Sequence, residues 1–348
     1  MYLTPHSRLA LLMHEGTQST MGKTGLAMLR YSASPIVAVI DYQAAGRSLA
    51  ALTGLEKEIP IVDSLTAALP YNPNVVAIGI APSGGNLPEP WFQELEQAVK
   101  AGLSIVNGLH TPMAQHPALA PWLGPNQWIW DVRQEPTGLT VGTGQASQLP
   151  CKRILAVGTD MSVGKMSTIL ELHRACQRRG LRSKVIATGQ TNLMLGDDGI
   201  PLDAVRVDYA SGAVEQMLMR YGYDYDFLFV EGQGSLLNPA STATLPLLRG
   251  SQPTHLVLAH RAGQTHIQNF PQVKIPALPL VIDLYEQVAA AGGAFATAKV
   301  VAIALNTGHL PPAEAAVAIA AVERETGLPC TDPFRQGADK ILVPILAS

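Results

Sequence analysis

The sequence predicts an α/β protein built from two doubly wound, parallel-sheet halves, and three observations carry that expectation. Short strands that are apolar along their whole length alternate with helical stretches, the pattern of strands covered on both faces. A segment rich in Gly, Pro, Ser and Thr, residues 134–150, breaks the alternation near the middle of the chain. At 348 residues the chain is also longer than one ordinary domain. The halves are read as 1–145 and 151–348, each holding its ligand outside the carboxyl ends of its strands.

In the first half, strands are expected at 9–13, 36–41, 75–81, 104–107 and 128–131; in the second, at 154–157, 184–187, 227–230, 255–259 and 300–305. Hydrophobic residues make up 47% of the chain and charged ones 15%, enough apolar surface for large cores. With a net charge of −3 and no basic stripe, nucleic acid is not an expected partner. Cys151, Cys176 and Cys330 are widely spaced and odd in number, which argues against a disulfide framework or a zinc site and fits a reducing cytoplasm. The apolar run 9–13 is too short for a signal segment, and Lys299 interrupts the longest membrane-span candidate, so a soluble cytoplasmic protein is expected. The charge-poor stretch 313–322 points to a homo-oligomer.

The second half opens on its most informative motif. A strand runs into Gly158-Thr159-Asp160-Met161-Ser162-Val163-Gly164-Lys165-Met166-Ser167-Thr168, and a helix-forming run follows at once. Converging backbone N–H groups, a positive helix end and one ammonium make a phosphate site. The spacing is G-x5-G-K, one residue longer than the usual P-loop, so this half is read as P-loop NTPase-like. The hydroxyl that would ligate Mg²⁺ after the lysine is replaced by Met166, a poor ligand for a hard cation. Ser167 stands about 100° further round the helix. Gly158, Thr159, Asp160, Gly164, Lys165, Met166, Ser167 and Thr168 are the expected cofactor-binding residues, joined by Asn306 at the end of the fifth strand.

Other strand ends supply chemistry. Glu231-Gly232-Gln233-Gly234-Ser235 delivers a carboxylate into a glycine-rich turn, where a P-loop protein keeps its metal- or water-orienting acid. Gln190 and Thr191 end the preceding strand, and with Gln233, Ser235 and Arg261 form the expected substrate-binding set. His260 suits a general base and Arg261 bidentate carboxylate capture. Asp208, ahead of a helix read over 209–221, is either its N-cap or a further catalytic carboxylate, and Glu215 on that helix reads as a solvated charge. No metal ligand set is expected.

The first half carries a faint echo. Gly16-Thr17-x4-Gly22-Lys23-Thr24 repeats the Gly158-Thr159-x4-Gly164-Lys165 spacing. Lys23 is a candidate for an anion at the first switch point, and Asp41 for a ribose. Ser83-Gly84-Gly85-Asn86 is a candidate anion nest or a plain tight turn. His110 ends another strand loop.

Two resemblances follow from these motifs. Gly158-Thr-Asp with Val163-Gly164-Lys165, and Glu231-Gly232 with Gly234, resemble dethiobiotin synthetase, an ATP-dependent family; the likeness covers the second half and departs at Met166, where that family has Thr. A fuller resemblance, spanning nearly the whole chain, is to a bacterial family catalogued as a domain of unknown function and associated with D-glutamate N-acetyltransferase activity. It rests on Gly164-Lys165-Met166-Ser167, Thr188-Gly189-Gln190-Thr191, Asp203-Ala204-Val205, Gly212-Ala213-Val214-Glu215 and Glu231 through Leu236. In the first half Gly79-Ile80-Ala81-Pro82-x-Gly84-Gly85, Gly108-Leu109-His110 and Asp131-Val132-Arg133 also match, giving a Rossmann-like domain. Asn192 departs from the family's Gly, and Asn238 from the His before Pro239. The resemblance implies transfer of acetyl from acetyl-CoA to a D-amino acid; for that chemistry the positions at strand ends point to His260 or Glu231 as base, Arg261 as carboxylate clamp and loop N–H groups at the oxyanion. The alternatives are a Mg-ATP-dependent ligase or kinase of the dethiobiotin synthetase type, and a nucleotide-sensing regulatory protein.

Overall fold

The computed structural model describes residues 3–82 and 87–347, so the candidate nest Ser83–Asn86 lies outside the described residues. The chain forms two compact units. The first comprises Met1–Gln134 together with Gln190–Asp197; the second comprises Glu135–Gly189 and Asp198–Ser348. The break thus falls at Gln134/Glu135, and one short insert from the later half belongs to the earlier one.

The first unit is a six-stranded parallel sheet of β1 (Leu9–Leu12), β2 (Ile36–Ile40), β3 (Ile61–Val62), β4 (Val75–Ile78), β5 (Ser104–Asn107) and β6 (Ile129–Asp131). Its order, 3-2-1-4-5-6, is that of the Rossmann fold and places the switch point at β1 and β4. β1, β4 and β5 are buried at every position, as both-face covering demands. The two-residue β3 has no periodicity to reveal it, which is why the sequence does not predict it.

The second unit builds a sheet of β7 (Lys152–Gly158), β8 (Ser183–Ile186), β9 (Phe227–Val230), β10 (His255–Arg261), β13 (Lys299–Asn306) and β14 (Cys330–Thr331), with a separate ribbon of β11 (His266–Ile267) and β12 (Phe270–Lys274). The sheet order is 14-13-10-7-9-8, parallel throughout. β7 and β10 run longer than their apolar runs suggest, and both end at the site. β14 and the ribbon, like β3, are too short or too exposed to be legible.

Two readings of local structure are corrected. The helix expected over 209–221 begins at Val207 with Arg206 as N-cap, so Asp208 lies exposed in its first turn and is not the N-cap. Glu215 is buried: its carboxylate accepts the Thr143 N–H (2.6 Å) and hydroxyl (3.1 Å) and the N–H groups of Gln145 and Ala146. The segment expected to be a free linker is therefore pinned at 143–146 to a carboxylate, which accounts for a charged residue on the inner face of a helix. The three cysteines are free and buried. Among the described residues no helix is long and apolar enough to cross a membrane.

Candidate active site

β7 hands the chain to the loop Thr159–Gly164, and the helix Lys165–Arg178 starts at the lysine. Lys165 is 6% exposed, and its Nζ donates to the Asp160 carbonyl at 2.7 Å. Burial pushes its ammonium down to about 8, against the stabilising carboxylates of Asp160 and Glu231. Among the described residues the backbone N–H groups of Val163, Gly164, Lys165 and Met166 meet no protein acceptor. A loop with unspent donors around a buried cation is an anion site. Met166 and Ser167 are half-buried at the helix start, while the Thr168 hydroxyl donates back to the Gly164 carbonyl (2.9 Å).

Asp160 anchors the loop to its surroundings. Its Oδ1 accepts from Met161 N–H (2.6 Å) and Asn238 Nδ2 (2.8 Å), and its Oδ2 from Gln264 Nε2 and Gln268 N–H, both at 2.7 Å. With four donors its carboxylate ties the loop to the β11–β12 ribbon. Tyr285, fully buried, adds a second tie: its hydroxyl donates to the Gly158 carbonyl (2.7 Å) and accepts from Leu236 N–H (3.1 Å). Sequence reasoning does not find Tyr285, because it sits in an ordinary apolar helix, Leu278–Ala290, far along the chain.

β9 ends at Val230 and delivers Glu231 beside Lys165. The carboxylate is 5% exposed, and its Oε2 accepts from the N–H groups of Thr188 and Gly189, both at 2.9 Å. Burial raises its pKa above the usual carboxylate range, against the pull of those N–H groups and of Lys165. Gly232 allows the approach: a Cβ there would lie 1.7 Å from the Ala156 carbonyl and 2.9 Å from Lys165 Cδ. Gln233 turns its amide onto the Thr188 carbonyl, and Thr244 Oγ1 donates to the Gln233 carbonyl (3.0 Å). Ser235, 1% exposed, closes the turn through Leu237 N–H (3.1 Å). The expected substrate residues Gln233 and Ser235 are thus held within the turn itself.

On β10, His260 and Thr159 share a hydrogen bond (Nδ1 to Oγ1, 2.9 Å). Burial lowers His260 to about 4, so the imidazole is neutral near pH 7. Arg261, next along the strand, is exposed and stands in register with Asn306 of β13. Asn306 itself lines a cavity of about 170 Å³ with Val163, Gly164, Ser167, Pro333 and Phe334. The structure thus gathers Thr159, Lys165, Glu231, His260 and Asn306 around one loop, and leaves Asp208 on the surface.

Gln190 and Thr191 belong to the first unit, where Thr191 Oγ1 hydrogen-bonds Thr24 Oγ1 at 3.1 Å. There the oxygens of Asp41, buried at the end of β2, accept the N–H groups of Glu15 (3.1 Å), Thr17 (3.2 Å) and Gln43 (3.2 Å). His110 is exposed, and burial with the neighbouring Arg133 lowers its pKa.

Comparison with known proteins adds to this geometry. Residues 140–342 match the P-loop domain model of DUF1611, a domain of unknown function, and residues 42–135 match the Rossmann-like domain model that precedes it in that family. A curated relative from Tritonibacter scottomollicae, named D-glutamate N-acetyltransferase, is 36% identical over 274 residues, covering 78% of this chain and 81% of that protein. One of the same name from a Pseudoalteromonas species is 33% identical over 281 residues, covering 80% and 83%. The crystal structure of a DUF1611 family protein from Anabaena variabilis superposes with a TM-score of 0.96 at 61% identity, covering 99% of this chain and 100% of that one. The P-loop half also matches an ATP-dependent dethiobiotin synthetase of Francisella tularensis subsp. novicida, 27% identical over 148 residues, covering 32% of this chain and 66% of that protein.

Proposed function

The chain belongs to the DUF1611 family, and we propose that it is an N-acetyltransferase moving acetyl from acetyl-CoA to the amine of D-glutamate or a close relative. One observation carries the reading: a P-loop without its metal-ligating hydroxyl sets a buried lysine beside a buried, proton-hungry glutamate. The names of the two curated relatives support the substrate class.

In this reading the free N–H groups of residues 163–166 and the Lys165 ammonium hold the pyrophosphate of the acyl donor, with no metal ion required for binding. Glu231 Oε2 is held by two N–H groups, and its raised pKa suits a base working near neutrality. It takes the proton from the acceptor ammonium. The freed amine attacks the thioester carbonyl, the C–N bond forms, the C–S bond breaks, and the leaving thiolate takes up a proton. N–H groups of the turn after Glu231 serve the oxyanion. His260, neutral and bonded to Thr159, positions the loop, and Arg261 at the exposed strand end takes the acceptor's carboxylate.

The test is thiol release from acetyl-CoA with D- and L-amino acids, with and without Mg²⁺, with ATP consumption followed in parallel. Metal-independent release with a D-amino acid is expected, and Glu231→Gln lowers kcat about a hundredfold or more while coenzyme affinity stays within about threefold. Mg²⁺-dependent loss of ATP without thiol release would overturn the reading in favour of the ligase that the dethiobiotin synthetase match favours. Ligand-induced stabilisation with no product in any arm would leave the nucleotide sensor.

A further inference from the structure

The cavity beside the P-loop has apolar walls suited to a flat ring, namely Val163, Ala304, Pro333 and Phe334, with Asn306 at its edge. Asn306 Oδ1 accepts Gly308 N–H at 3.1 Å, which leaves the amide Nδ2 to donate to a ring nitrogen. Phe334 lines this space and is 45% exposed. The far wall is rigid. Asp332 Oδ2 accepts the N–H (2.9 Å) and hydroxyl (2.6 Å) of Thr307, and its Oδ1 accepts from Phe334 N–H (3.0 Å) and Arg335 N–H (3.2 Å).

Next to Phe334 stands a cation with a defined direction. Arg335 Nη2 donates to the carbonyls of Leu310 (2.7 Å) and Gly308 (3.3 Å), and Gly308 also lines the base-sized cavity. Both bonds use one nitrogen, and among the described residues the guanidinium meets no carboxylate. Arg335 faces a second cavity of about 360 Å³ that shares Asp332 as a wall with the first. Arg261, the other exposed cation near Asn306, has no such tether among the described residues. A ring-lined cavity with a phosphate loop on one side and a tethered guanidinium on the other is what an adenosine needs when it carries phosphate at two places.

We propose that Arg335 binds the 3′-phosphate of coenzyme A and thereby selects a 3′-phosphorylated adenine nucleotide over ATP, an inference that rests on the acetyl-CoA reading above. The chemistry is charge-assisted recognition of an exposed phosphate by a pre-aimed fork. Calorimetric titration of the full-length protein with coenzyme A, 3′-dephospho-coenzyme A and ATP tests it without turnover. Wild type binds coenzyme A about tenfold more tightly than the dephospho form, the span expected for one charged contact of this kind. Arg335→Ala removes that preference and leaves dephospho-coenzyme A affinity unchanged, which also shows the variant to be folded; Arg335→Lys keeps part of it. Equal binding of the two coenzyme forms by wild type, or a preference that survives in Arg335→Ala, overturns the proposal while leaving the acetyltransferase reading intact. Binding of ATP with neither coenzyme form overturns both.

Discussion

The loop 16–24 of the first unit and the loop 158–166 of the second share the Gly-Thr-x4-Gly-Lys spacing, and each leads from a central strand of its sheet to a helix that begins at the lysine. Their donors meet different fates. In the first, Asp41 accepts the N–H groups of Glu15 and Thr17, and the loop folds on itself so tightly that a Cβ at Gly22 would lie 2.0 Å from the Gly16 carbonyl. Lys23 points outward and is exposed. In the second, the carboxylate nearest the loop, Asp160, is drawn off by Asn238, Gln264 and Gln268, and among the described residues the N–H groups of 163–166 meet no protein acceptor. Lys165 is buried among them. The spacing specifies a strand–turn–helix; which carboxylate reaches the turn decides whether it becomes an anion site or a self-satisfied joint.

The largest effect separates the two lysines. Lys165→Ala weakens coenzyme A binding about ten- to a hundredfold, the value of a charge-assisted contact to phosphate, whereas Lys23→Ala changes it less than about twofold. Equal losses in both titrations would break the comparison and make the first loop a second phosphate site. Next comes Asp41→Ala, which strips the acceptor from three backbone N–H groups and should destabilise the protein by about 2 kcal/mol or more in urea unfolding. Coenzyme A affinity of the folded variant stays at the wild-type value; a parallel loss of affinity would mean that Asp41 serves a ligand.

The smallest effect is a proton. Burial holds the Lys165 ammonium near 8, so the charged form is disfavoured in the free protein as pH rises through that value. A bound phosphate favours the charged form and lifts the pKa. Coenzyme A binding should therefore take up a fraction of a proton around and above pH 8, with affinity falling as pH rises beyond it. Calorimetry in two buffers of different ionisation heat measures this. No uptake at pH 8 would place the ammonium away from the phosphates.

How much of this was legible depends on how local each cause is. Strand–loop–helix at 152–178, the glutamate closing β9, and the His260-Arg261 pair all follow from apolar runs that end in polar or glycine-rich turns, a pattern confined to neighbours in sequence. Glu215 and Asp41 read as plausible surface or ligand carboxylates because nothing near them in sequence announces their acceptor role. Their partners lie about the linker and across a strand pair, at 143–146 and at 15–17. Tyr285 is silent for the same reason: a tyrosine on an apolar helix carries no sign that its hydroxyl will meet Gly158.

Periodicity and motif spacing determined the class of the molecule, two parallel α/β sheets of which the second opens on a phosphate loop with a methionine where the metal-binding hydroxyl belongs. Those features depend on contacts within a few residues, and the backbone physics of strands, tight turns and helix ends is the same wherever such residues occur. Tertiary structure decided the rest. It set which of two similar loops, among the described residues, has its N–H groups met by a carboxylate, that Glu231 shares its burial with Lys165, and that Arg335 is tethered by two carbonyls beside a cavity walled by Asp332. Desolvation and hydrogen-bond satisfaction depend on what folds over a group from far along the chain, and that is settled only when the sheets are assembled.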